Sequence, residues 1–347
     1  MPTLRPFERT SLSANGAPTA AGSIVMAGGI FGLGALQQMP LLRHALTQPL
    51  TIGLFAVWVL IANSYVSSWR RGRFDDHVRP PIGRFAIGSW VAATAVLVRM
   101  LILAYPTWRP VAVLLWALAC GTWLWFVIVV TRGFGHLVER SRAQLVPGVV
   151  LLFAVSTQSV ALAAFDLTAK PSEWSWAAAI LSGVGAGSYL VGLALMVRSH
   201  FSVDSWSLAD DWDNSNCILH GALSITGLTF VTWNAAPPHH LQILWVVVFF
   251  IFLAVEAVEI ARLVIRVRAY GWRRGAFSYN VTQWSRIFTF GMFYAFTLGV
   301  AHHSASAAMP PWMVAMQAAT LTYGAPLLLF FLLAEAALCL RSHVRAK

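Results

Sequence analysis

Ten apolar stretches recur along this chain of 347 residues, near 22–39, 48–67, 85–104, 111–131, 147–166, 175–197, 217–233, 239–265, 279–303 and 312–340. Each suffices to cross a hydrocarbon core of about 30 Å as a helix. With 58% hydrophobic and 11% charged residues, the chain cannot be a soluble globular domain of ordinary make-up. The pattern predicts an all-α polytopic membrane protein with ten transmembrane helices.

The basic residues assign the sides. All but four of the 24 Lys and Arg lie at the two ends of the chain or in and beside the loops after spans 2, 4, 6 and 8. The loops after spans 1, 3, 5, 7 and 9 hold only Arg43, Arg109 and Lys170, and Arg99 lies inside span 3. By the positive-inside rule both termini are cytoplasmic and the number of spans is even, which places the protein in the plasma (inner) membrane. The same distribution accounts for a net charge of +11 through anionic lipid heads, without nucleic acid as a partner. Residues 1–21 hold Arg5, Glu8 and Arg9 and no apolar core, so they are expected to form a cytoplasmic tail rather than a cleavable signal. Residues 22–340 then form the ten-helix domain and 341–347 a second cytoplasmic tail.

The odd spans begin near 22, 85, 147, 217 and 279, giving five helical hairpins spaced 62 to 70 residues apart. Spans 1, 5, 7 and 9 are rich in small and hydroxylated residues, whereas spans 2, 4, 8 and 10 are mostly bulky aliphatics and aromatics. Small residues suit the inside of a bundle, so odd spans inside and even spans outside is the simplest arrangement. Two meanings stay open: an aqueous path along the odd spans, or close helix packing. In span 9, Phe288, Gly291, Met292 and Ala295 share one helical face that could close such a path.

Several motifs resemble the tellurite-resistance/dicarboxylate transporter family, which includes the slow-type anion channels and the malate and sulfite permeases. Val25-Met26-Ala27-Gly28-Gly29-Ile30 is similar to the family's V-M-A-T-G-I, and Val91-Ala92-Ala93-Thr94-Ala95-Val96-Leu97 to V-A-A-T-x-V-L. Ser156-Thr157-Gln158-Ser159 corresponds to A-T-Q-S, and Cys217 to Thr226 to W-I-N-M-G-A-L-A-I-T. The stretch from Trp284 to Phe293 resembles the family's W-S-L-V-F-P-L-G-M-Y-A. The departures are Thr289 where the family has Pro, Cys217 where it has Trp and Leu219 where it has Asn, which mark a divergent member.

The resemblance implies a pseudo-fivefold ring of hairpins around a central pore, a homotrimer with one pore per subunit, and a gating Phe at Phe288. Pore-lining candidates are Met26, Gly29, Thr94, Thr157, Gln158, Gly221, Ser224, Thr226, Gly291 and Met292. Small inorganic or organic anions (chloride, nitrate, sulfite or a C4-dicarboxylate) are the expected cargo, with no enzyme chemistry, catalytic residue, cofactor or metal.

Charges within the spans need a partner or a path. Arg99 is a candidate for attracting anions at the outer mouth, against the alternative that it snorkels to the interface. Arg286 is expected to pair with Glu256 or Glu259 of span 8, while Asp166 and Glu335 belong near interfaces. Cys120, Cys217 and Cys339 have no metal or disulfide spacing. Two further function classes are a membrane haem or metal redox protein using His220 with the pairs His239-His240 and His302-His303, and a pore-less assembly partner.

Overall fold

The structure is a computed structural model that describes residues 16–168, 170–303 and 309–344. Its helices are α1 (Gly22–Leu33), α2 (Pro40–Arg70), α3 (Asp75–Val78), α4 (Gly88–Ala104), α5 (Arg109–Arg140), α6 (Leu152–Leu167), α7 (Ser175–Ser202), α8 (Ile218–Thr232), α9 (Pro238–Gly275), α10 (Trp284–His303) and α11 (Pro311–Val344), with no strand element among the described residues. Eight segments, containing α1, α2, α4, α5, α6, α7, α9 and α11, are long and apolar enough to cross a membrane. The chain is therefore a multi-pass helical membrane protein. α8, at 15 residues, and α10, at 20, fall outside the eight; the first carries His220, Ser224, Thr226 and Thr229, and the second carries Ser285 and Arg286 in its first turn and His302 and His303 in its last.

The first apolar stretch runs to Gln38 as expected, but changes from α-helix to a 3-10 turn on the way. Gly34 breaks α1 with φ −108° and ψ −84°, and Pro40 opens α2 at its first position, where a missing N–H costs nothing. The outer loop predicted before residue 48 is thus the first two turns of α2.

Two layers separate by burial. In α1, α4 and α6 some 78% to 83% of the most apolar window is buried, against 11% to 33% in α2, α5, α7, α9 and α11. The buried helices close a circuit: α1 packs on α4, α4 on α6, α6 on α8, α8 on α10 and α10 back on α1. Each remaining long helix lies across one neighbouring pair: α2 on α1 and α4, α5 on α4 and α6, α7 on α6 and α8, α9 on α8 and α10, α11 on α10 and α1. Every helix of the circuit starts with a 3-10 turn (Thr19–Ala21, Gly83–Ile87, Gly148–Leu151, Asn214–Cys217, Val281–Gln283), and these turns touch one another in the same cyclic order. The five helices therefore run parallel, with their N-termini gathered at one end.

Glycine permits that gathering. A Cβ on Gly88 would lie 2.7 Å from the Leu152 carbonyl oxygen, and one on Gly148 would collide with the Ser215 carbonyl, so any larger residue would push neighbouring helix starts apart.

A repeated bond joins the layers. Trp58 of α2 donates its indole N–H to Thr94 of α4, Trp123 of α5 to Thr157 of α6, and Trp245 of α9 to Thr297 of α10, each at 2.9 Å. In each case an outer helix is riveted to the next inner helix in the chain. Exposed Trp69, Trp108, Trp174, Trp206, Trp272 and Trp312 stand at or just beyond helix ends, where an amphipathic ring suits the headgroup region.

Candidate functional site

Contacts to the outer layer fix the rotation of each inner helix. On α10, Arg286 reaches Glu259 of α9, Phe290 and Phe293 pack against Phe252 of α9, and Thr297 takes the Trp245 bond. On its flanks, Thr289 meets Gly221 of α8 and Gly291 meets Ile30 of α1. Phe288 and Met292 each lie two residues from Phe290, about 200° around the helix. They face away from α9, toward the axis of the circuit, where they are 0% and 1% exposed.

Equivalent arithmetic places Met26 and Ile30 of α1, Ala92 and Val96 of α4, Val155 and Ser159 of α6, and Ile218 and Ala222 of α8 on the axial side. All of these are buried. Ser159 is the single polar member, and its hydroxyl donates to the Val155 carbonyl at 2.8 Å. The axis is a filled apolar core with Phe288 as its largest side chain.

Eight of the ten expected wall residues face other surfaces. Thr94 and Thr157 point outward to the indoles of Trp58 and Trp123, because a hydroxyl at that depth finds its donor in the outer layer. Gln158 and Thr226 bond each other at 3.3 Å, and Gln158 also donates to the Ser182 carbonyl, so both sit in the seam of α6, α7 and α8. Gly29 faces Val96, while Gly221 and Gly291 face Thr289 and Ile30, all at contacts between neighbouring inner helices. The Ser224 hydroxyl is returned to the His220 carbonyl at 2.8 Å. Met26, Phe288 and Met292 occupy the axial face. Val155, Ser159 and Val96, absent from the sequence-derived set, occupy it too. Their signal was indirect: each lies two residues from a Thr that has a Trp in the preceding outer span.

Polar chemistry collects behind the circuit. Glu259 accepts from Arg286 at 2.5 Å and from the Trp212 indole at 2.9 Å, with Arg262 at 3.5 Å. Arg262 also donates to Asn214 at 2.7 Å, and Asn214 donates to Thr282 at 3.1 Å. These bonds tie α9 to the starts of α8 and α10. Trp212, Asn214 and Arg262 escaped sequence reasoning, although Arg262 follows Glu259 at the i, i+3 spacing of a helical pair. Glu256, the other carboxylate considered for Arg286, has a buried oxygen without a hydrogen-bond partner. Glu335, expected near an interface, is buried on α11.

Arg99 and Asp166 form an ion pair at 2.6 Å, with 17% and 24% of their side chains exposed. The carboxylate offsets the arginine's field at that end, which weakens the attraction expected of a free cation. His220 is fully buried between Phe252 and Phe290, with neither ring nitrogen hydrogen-bonded. The His239 and His240 rings lie 4.0 Å apart, and among the described residues no three His, Cys, Asp or Glu side chains converge as a metal site requires. Cys217 donates to the Asn214 carbonyl at 3.1 Å, and none of Cys120, Cys217 and Cys339 is in a disulfide.

Beside the turns that open α1 and α4, α3 completes an aromatic cluster with the outer helix α2. The His77 ring sits 5.2 Å from Tyr65, 5.9 Å from Phe74 and 5.6 Å from Trp90, with Nδ1 at 2.8 Å from the Thr19 hydroxyl. Burial pulls its pKa below the ordinary 6.5, and Arg73 adds to this while Asp76 opposes it.

The chain matches no protein-family model, and no curated protein is significantly similar to it.

Proposed function

We propose that this protein is a transmembrane anion channel or transporter, a divergent relative of the tellurite-resistance/dicarboxylate family. In this reading ten helices cross the membrane as five hairpins in a pseudo-fivefold ring, both termini are cytoplasmic, three copies assemble, and each has its own pore along the axis. Phe288 is the closing side chain.

What carries the reading is the circuit of five parallel helices with an apolar axial face and Phe288 at its centre. Each helix N-terminus has about half a positive charge, so five of them gathered at one end favour an approaching anion. The apolar axis beyond them opposes passage, because an ion entering a dry constriction must shed its water. Such a channel conducts only when Phe288 and Met292 move aside. With no fixed charge at mid-depth, selectivity follows ease of dehydration, so nitrate permeates at least as well as chloride.

The test is flux in proteoliposomes across chloride, nitrate, sulfite and malate, with wild type and Phe288→Ala side by side. Absence of flux from both proteins under any imposed potential would overturn the proposal in favour of a pore-less assembly partner. A visible spectrum of the purified protein with haem bands would favour the redox reading instead.

A further inference from the structure

The cytoplasmic end of α9 is built as a hook. Gly271 breaks the helix with φ 73° and ψ 165°, a left-handed conformation open to glycine and strained for other residues. The chain then doubles back: Ala276 and Phe277 donate to the Trp272 carbonyl at 3.0 and 3.2 Å. Buried Arg266 locks the turn from inside, giving hydrogen bonds to the carbonyls of Gly275 at 3.3 Å and Ala209 at 3.0 Å. Gly275 is pressed so close that a Cβ there would meet the Arg266 carbonyl at 2.8 Å.

A turn so firmly held would ordinarily tuck its apolar side chains inward, yet this one turns them out. Trp272 and Phe277 are 65% and 60% exposed, with ring centroids 6.4 Å apart and an interplanar angle of 30°. Arg268, Arg273 and Arg274 are exposed around them, and among the described residues none has an ion-pair or side-chain hydrogen-bond partner. Asp210, on the segment that Arg266 also reaches, accepts from the Tyr270 hydroxyl at 2.9 Å. Two paired rings between three unpartnered guanidinium groups, held rigidly just past a membrane-crossing helix, complement one surface: rings at the acyl boundary and guanidinium groups on phosphates.

We propose that this hook is a docking site for the headgroups of anionic phospholipids in the surrounding bilayer. Arginine forks bind the lipid phosphates bidentately, and the Trp272 and Phe277 pair fixes the depth at which they do so. Each arginine near an anionic surface multiplies affinity by about five, so three together contribute roughly a hundredfold over a neutral headgroup. The site is independent of what the pore carries.

Two measurements test it. Wild type and Arg268→Gln/Arg273→Gln/Arg274→Gln are purified in detergent, and retained phosphatidylglycerol and phosphatidylcholine are counted by native mass spectrometry, with Arg132→Gln/Arg140→Gln/Arg142→Gln as a charge-matched control elsewhere on the same side. The hook variant should lose phosphatidylglycerol by at least about tenfold, while the control and all phosphatidylcholine counts stay near wild type. The second measurement needs only wild type, in nanodiscs of either lipid: trypsin cleavage after Arg273 and Arg274 should slow in phosphatidylglycerol relative to cleavage after Arg140 and Arg142, and soluble glycerol phosphate should not reproduce the protection. Equal phosphatidylglycerol retention by the hook and control variants, equal cleavage ratios in the two lipids, or full protection by glycerol phosphate would overturn the site.

Discussion

The two faces of α10 differ in almost every respect. Toward the axis it shows Phe288 and Met292, both buried in apolar surroundings. Toward α9 it shows Arg286 on Glu259, Phe293 stacked on Phe252 with Phe290 edge-on to the same ring, and the bond from Trp245 to Thr297. The polar groups of this region lie behind the inner circuit, in the seam between layers, rather than along the enclosed axis. An apolar axis makes a barrier to ions, and paired groups in the seam hold the barrier's walls in register. On this view, changes at the axis should alter transport beyond any cost in packing, while changes in the seam should alter stability and leave transport nearly intact.

The axis offers the largest effect. Phe288→Ala should raise anion conductance by at least about tenfold, since lowering a barrier by roughly 1.4 kcal/mol already gives that factor. Conductance at or below wild type in a variant that still folds would remove Phe288 from the gate and erase the distinction between the faces.

Next comes the ion pair. Arg286→Gln leaves Glu259 with only Arg262 and Trp212 at its carboxylate and should destabilise by about 3 kcal/mol, the low end for a buried pair because 35% of the Arg286 side chain is exposed in the isolated chain. The double variant Arg286→Gln/Glu259→Gln should recover part of that loss. Strict additivity of the two single changes in chemical denaturation would mean that the contact carries no coupling energy.

The Trp rivets sharpen the comparison at smaller cost. Thr94→Val, Thr157→Val and Thr297→Val keep side-chain volume but strand an indole N–H, which should cost about 1 to 3 kcal/mol each with transport unchanged. If Thr94→Val or Thr157→Val instead shifts anion selectivity without loss of stability, those hydroxyls line the path and the rotation of α4 and α6 derived from the outer contacts is wrong.

The layering was legible because it rests on composition: Gly, Ser and Ala concentrate in the helices that become buried, and bulky aliphatics in those left exposed. Rotation was not. An inner helix such as α1 is apolar on every side, so its sequence has no polar face to reveal which residues look inward. Thr94 and Thr157 read as wall residues because a hydroxyl in a membrane span suggests water, when its donor was a Trp about 35 positions earlier. Depth alone left Arg286 open to Glu256 and Glu259, since the two acids lie less than one turn apart; the environment of Trp212, Asn214 and Arg262 around Glu259 exists only in three dimensions. The start of α2 was missed for a different reason. Arg43 and His44 lower the local hydropathy, yet Pro40 begins a helix that runs unbroken through them.

The smallest expected effect concerns the aromatic cluster around His77. Since His77 has its pKa lowered in the fold, the unfolded chain binds its proton at higher pH than the native one does, and stability must rise with pH across that interval. The contribution is fully present above about 6.5 and is lost progressively as pH falls toward the depressed native value. Protonation would place a cation among Tyr65, Phe74 and Trp90, and the ring faces return about 0.5 to 1 kcal/mol of the cost, which keeps the effect modest. The chain has nine other histidines, so the informative quantity is a difference: melting temperature against pH from 8 to 5 for wild type, minus the same curve for His77→Phe. The difference should narrow as the solution is acidified below about 6.5, because only wild type must then neutralise or bury a charge beside Thr19. A difference that is constant with pH would show that His77 is protonated in the fold at no cost, and that the aromatic cluster around it is wetter than its burial indicates.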